Sequence, residues 1–195
     1  MSILMMIVPI FRILPSNGQN DGVRITTQNS SEITIVDGHR QPRIDFTTTY
    51  TDETGETHIA KCKFEGLSFR IFAERAPPQW IGGLPDNIKH IKLASLPVNY
   101  FGEWHCAPGP QWVVTLSGAW SQETTSGDIV VMNAGDLHYD QDSDAKKMRP
   151  NQYRIGHISR TVGNEPCVQL IIQLERSINY ICLSLIHISE PTRPY

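Results

Sequence analysis

A chain of 195 residues, 39% hydrophobic and 19% charged, suits a single globular domain with its own core. A net charge of −3 with no basic cluster argues against a dedicated nucleic-acid binder, and no apolar run is long enough to cross a bilayer as a helix. The cysteines Cys62, Cys106, Cys167 and Cys182 show no C-x-x-C pairing. Zinc-ribbon and thioredoxin-like classes therefore drop out, and free thiols of a cytoplasmic protein are expected.

Residues 1–14 are apolar but are interrupted by Pro9 and Arg12, and they lack a basic leader and a small-residue cleavage site, which argues against a signal peptide. Residues 1–31 read as an extension, its second half rich in Asn, Gly, Ser, Gln and Thr. A short strand over 33–36 closes on the Asp37-Gly38 turn. Runs at 44–50 and 58–64 flank Asp52-Glu53-Thr54-Gly55 and predict a hairpin. Residues 67–72 continue in β style, 76–85 hold too many breakers for a helix and read as an ordered loop, and 90–94 alternate. The second half is more regular. Strands are expected over 98–106, 111–116, 119–124, 128–132, 137–141, 153–160 and 168–174, with a polar insertion at 142–152. Their spacing of about 8–12 residues predicts an all-β sandwich or barrel. Residues 184–195 resemble translated sequencing-adapter read-through and are left out of the fold; residues 177–195 as a whole read as a C-terminal tail.

The most informative stretch is Trp104-His105-Cys106-Ala107-Pro108-Gly109-Pro110-Gln111-Trp112-Val113-Val114-Thr115-Leu116-Ser117-Gly118. Pro presets φ and Gly tolerates positive φ, so Pro-Gly-Pro fixes a corner. Beyond it, alternation puts Gln111, Val113 and Thr115 on one face and Trp112, Val114 and Leu116 on the other. If the corner closes a hairpin, His105 and Gln111 point into one cavity. Ala107 shares the face of His105, and Cys106 lies opposite, which makes a Cys/His dyad improbable.

This stretch resembles the first motif of the cupins, G-x5-H-x-H-x3,4-E-x6-G. His105 stands at the first His, Ala107 at the second, Gln111 at the Glu position and Gly118 at the closing Gly, with Asn99 in place of the opening Gly. A narrower likeness is to cupin-like proteins with H-x-A-P-x-x-Q followed by a strand ending in L-S-G. The second cupin motif, G-x5-P-x-G-x2-H-x3-N, fits in two registers. One starts at Gly127 and uses His138; the other starts at Gly135 and is displaced by the polar insertion to His157. The family places a full hairpin between its motifs, and only the interval from Gly118 to Gly135 leaves room for one, so His157 is the preferred partner of His105.

The resemblance implies an all-β, single-domain jelly-roll barrel over residues 32–176, with the motifs at 98–174, binding a small molecule in a pocket of His105, Ala107, Gln111, Val113, Thr115 and His157. It also implies one divalent metal ion (iron, zinc, manganese or nickel) on His105, Gln111 and His157, with His138 and Asp140 in reserve. Asp140 or Asp142 supplies a carboxylate only if its strand faces inward. The enzyme-class alternative is a mononuclear, iron-type dioxygenase. The large apolar side chains of Trp112, Val114 and Leu116 are expected under the N-terminal strands or in a homodimer interface; neither nucleic acid nor membrane is expected as a partner.

Overall fold

A computed structural model describes residues 34–64, 67–83 and 87–178. The extension at 1–31 and the tail from 179 onward lie outside the described residues. The chain divides into two compact units, Met1–Gln41 and Pro42–Tyr195. In the first, β1 (Ile35–Val36) and β2 (His39–Arg40) form a hairpin. Its turn takes positive φ at Asp37 (50°) and Gly38 (78°), as the Asp-Gly pair predicts.

Among the described residues, the regular structure of the second unit is almost wholly strand, as expected. These are β3 (Asp45–Thr51), β4 (Thr57–Lys63), β5 (Ser68–Arg70), β6 (Gln79–Ile81), β7 (Ile88–Leu96), β8 (Gln111–Ser117), β9 (Ala119–Thr124), β10 (Ile129–Asn133), β11 (Leu137–Gln141), β12 (His157–Val162) and β13 (Cys167–Leu174). One short helix, α1 (Ala145–Met148), lies in the polar insertion. A six-stranded sheet runs β4-β3-β11-β8-β13-β7, and a three-stranded sheet runs β10-β9-β12. All its ladders are antiparallel except β3–β11. Among the described residues no ladder joins the two sheets into a closed barrel.

Four local expectations change. Residues 79–81 pair with β5 as a strand inside the stretch read as a loop, because Trp80 opposes Phe69 with ring centroids 5.3 Å apart. Residues 98–106 do not form a continuous strand. Asn99 has φ of 62°, and only the isolated bridges Phe101↔Arg160 and His105↔His157 attach this segment to β12. The Pro-Gly-Pro corner is not a hairpin: it carries the chain from the edge of the small sheet into the middle of the large one. Among the cysteines, Cys106 and Cys167 are free thiols, but Cys62 is disulfide-bonded, against expectation. No helix among the described residues is long and apolar enough to cross a membrane.

The alternation expected on β8 holds. Trp112 packs with Phe46, Cys62, Tyr139, Ile172 and Leu174 on one face of the large sheet. Val113 packs on the other face with Trp120, Met132 and Cys167, so this face looks at the small sheet. Trp112 is 1% exposed within its own chain, whereas Leu116 is 48% exposed.

Gly156 fixes how closely β12 approaches the 101–105 segment. Its φ is 72°, and a Cβ there would run into the carbonyl of His105. Replacing it adds a left-handed-backbone penalty of about 1–2 kcal/mol and a steric one. Gly156→Ala is expected to lower Tm by at least ~2–4 °C. It should also speed amide exchange at His105 and His157, whose backbones exchange hydrogen bonds of 2.9 and 2.8 Å. Unchanged exchange at those two amides would show that the glycine does not hold the bridge.

Candidate functional site

Between the sheets the usual apolar filling gives way to polar side chains. Alternation along β11 and its continuation turns His138, Asp140 and Asp142 inward, and all three are at most 2% exposed. From the facing sheet come Gln122, Thr124 and His157, also buried. Isolated buried polar groups would cost several kcal/mol each, so the layer persists only because its members satisfy one another.

Two linked clusters result. In the first, His138 lies 2.7 Å from Thr47 Oγ1 through Nδ1 and 3.1 Å from Asp140 Oδ1 through Nε2. Gln122 spans the sheets, donating from Nε2 to Asp140 Oδ1 at 2.9 Å and accepting from Thr49 Oγ1 at 2.8 Å. In the second, Asp142 accepts the backbone N–H of Ala107 at 2.8 Å on one oxygen and holds His157 Nδ1 at 2.6 Å on the other.

Charge joins the clusters. Burial alone would strip the proton from His157, but the negative charge of Asp140, then the hydrogen bond and charge of Asp142, raise its pKa above the usual range. Burial works the other way on Asp140. There the positive charges of His157 and His138 and the hydrogen bonds from His138 and Gln122 prevail and hold the carboxyl well below its ordinary value.

The expected site residues fall into three groups. His105 and His157 come together, with ring centroids 4.6 Å apart, as cross-strand neighbours. His157 is 3% exposed, but His105 is exposed and stands at the rim, with Nδ1 2.7 Å from the carbonyl oxygen of Glu103. Gln111 is half-buried on β8, opposite Asp140 on β11 and Gln173 on β13. Ala107, Val113 and Thr115 are buried and packed; Thr115 accepts a 2.9 Å hydrogen bond from the Trp120 indole. None of the six lines the cavity of about 480 Å³ beside Trp104 or the one of about 330 Å³ beside Thr47. The reserve pair, His138 and Asp140, lies deeper than the preferred set.

Sequence reasoning missed a further arrangement at the β3–β4 turn. Ligand atoms of the half-buried Asp52, Glu56 and His58 lie within 4.8 Å of one another, a geometry that could hold a metal ion. Asp52 Oδ1 accepts from the Thr54 N–H, the Thr54 hydroxyl and the Glu56 N–H, and Oδ2 sits 3.1 Å from His58 Nε2. The signal available was the spacing D-x3-E-x-H across a hairpin, which sets Asp52 at the start of the turn and His58 on the strand that leaves it.

These features define an all-β protein of two facing sheets with a polar interior layer. No family model matches the chain and no curated protein matches it. Among solved structures it is similar to protein NMB1881 from Neisseria meningitidis, with 13% identity and a TM-score of 0.32, over 47% of this chain and 78% of that one.

His157 and Asp140 contribute to the pH dependence of the metal-free protein in opposite directions. A raised pKa makes the His157 proton stabilising below the ordinary 6.5, and that stability is lost as pH rises through the raised value. A lowered pKa makes Asp140 stabilising above the ordinary 3.8, and that stability is lost as pH falls through the depressed value. In chelator, Tm should therefore be highest between these ordinary values and fall on the alkaline side. His157→Gln should flatten the alkaline limb; a limb unchanged in that variant would assign it to another group.

Proposed function

We propose that the chain binds a small polar molecule at the rim of the layer between its sheets, where His105 and His157 hold one divalent metal ion. The observation that carries this reading is the state of the two rings. Each has its Nδ1 engaged by an acceptor, the Asp142 carboxylate for His157 and the Glu103 carbonyl for His105. Metal-ligating histidines characteristically donate one ring N–H to a carboxylate or carbonyl, which fixes the tautomer and leaves the other nitrogen as the ligand atom. Both Nε2 atoms are thus the ones left to bind. Ring centroids 4.6 Å apart suit two nitrogens each ~2.0–2.1 Å from one ion.

The carboxylates support the same reading. Asp140 and Asp142 favour a proton on His157, and for the same electrostatic reason they favour a cation in its place. Gln111 adds an amide oxygen from β8, on the strand beside Asp140. With nitrogen and oxygen donors the site suits iron, zinc, manganese or nickel and not a soft copper(I). Such an ion would supply Lewis acidity and open positions for a ligand. The chain itself orients the ligand through Gln111, sets the ring tautomers and excludes water from Asp142. The charge of Asp140 acting on His157 suggests a second reading, a non-haem iron oxygenase in which Asp140 would have to move to join the two histidines, because among the described residues the three ligand atoms already within 4.8 Å of one another are those of Asp52, Glu56 and His58.

Metal analysis of untagged protein tests both readings. About one equivalent of a transition metal is expected. It should be lost in the His105→Ala/His157→Ala double variant and kept in His58→Ala. Loss in His58→Ala alone would move the metal to the β3–β4 turn, and protein without metal after incubation with each ion would remove the site. Consumption of O₂ by the iron-loaded wild type, absent in Asp140→Asn, would select the oxygenase.

A further inference from the structure

The outer face of the small sheet carries a second site, unrelated to the layer between the sheets. A cavity of about 480 Å³ is lined by Phe101, Trp104, Tyr153, Arg154 and Arg160 around Glu123, with Glu103 at its rim. That volume is within the ~300–1,000 Å³ of small-molecule sites. Two large aromatic side chains are left in solvent at its edge: Phe101 is 65% and Tyr153 84% exposed.

The two arginines are held in place. The Arg154 guanidinium lies 4.4 Å from the centre of the Trp104 ring, and that of Arg160 lies 4.6 Å from the centre of the Phe101 ring. Each gives one hydrogen bond to a different oxygen of Glu123, at 3.2 and 2.8 Å. A guanidinium carries several more N–H donors in the same plane. The cavity therefore has donors in excess and fixed in direction, beside exposed ring faces.

Charge decides which acceptor fits. The lining arginines, Arg154 and Arg160, are balanced by the lining glutamates, Glu103 and Glu123. A balanced lining does not attract a polyphosphate, yet forked donors pair well with one carboxylate. We propose that this cavity binds an aromatic monocarboxylate, with the carboxylate on the free edges of Arg154 and Arg160 and the ring against Phe101 and Tyr153.

Calorimetric titration of the full chain in chelator tests this apart from any metal, using 2-naphthoate, its neutral amide and inorganic phosphate as probes. The acid should bind saturably at one site per chain, and the amide at least about tenfold more weakly, a difference of about 1.4 kcal/mol. Arg154→Gln and Arg160→Gln should each weaken the acid about tenfold or more, and Glu103→Gln should tighten it by removing a like charge. Equal binding of acid and amide would overturn the proposal in the wild type alone, whether or not the variants fold. So would tighter binding of phosphate than of naphthoate, or binding of naphthoate weaker than ~1 mM.

Discussion

A single buried carboxylate, Asp142, holds the corner of the molecule together. One oxygen takes the Ala107 N–H, immediately before Pro-Gly-Pro, and the other takes the imidazole of His157. Its own carbonyl accepts the Ala145 N–H that opens the turn into α1. Thus one residue ties the crossover between sheets and the first strand residue after the polar insertion through its side chain, and the start of that insertion through its backbone. Buried at 0% exposure, the charge would be costly alone and is tolerable only with these donors in place. The position of His157 and the path of residues 101–110 are therefore consequences of one set of hydrogen bonds.

The large sheet serves two chemistries by alternation. On β8, Trp112 enters an aromatic cluster, its ring centroid 4.8 Å from that of Phe46 and 4.9 Å from that of Tyr139. The neighbouring residues Gln111, Val113 and Thr115 face the small sheet. On β11, Tyr139 joins Trp112 while His138 and Asp140 turn to the polar side. Apolar burial on the first face supplies the stability that lets the second carry ionisable groups. Across the gap Gln122 keeps those groups satisfied, because an amide can donate to Asp140 and accept from Thr49 at once.

Much of this was legible from residue pattern. The β3–β4 hairpin, the β9–β10 hairpin between Gly118 and Gly135, and the two faces of β8 follow from alternation and turn residues, both of which act locally. The pairing of His105 with His157 was legible too, through the Gly-His pair: Gly156 is the residue whose missing Cβ lets the His105 carbonyl come close. What failed was non-local. Pro-Gly-Pro encodes a corner but not its destination, so a crossover read as a hairpin. Burial on β11 depends on which face meets the small sheet, and that placed the reserve pair His138 and Asp140 deeper than the preferred His105. The Asp52–Glu56–His58 group was hidden because its residues look like turn chemistry, which Asp52 also performs.

The exposure of His105 changes the meaning of the pair it forms. Two buried imidazoles flanked by Asp140 and Asp142 would compete for protons and share an enclosed charge. With His105 in solvent, only His157 is held by the buried carboxylates, while its neighbour stands open to water. The pair thus spans the boundary between an interior that favours positive charge and a surface open to exchange. A cation bound across it would satisfy the interior carboxylates and still accept ligands from outside, a combination unavailable to the fully buried His138. A ligand of the proposed kind would therefore meet the polar interior at the rim and not at the centre of the layer.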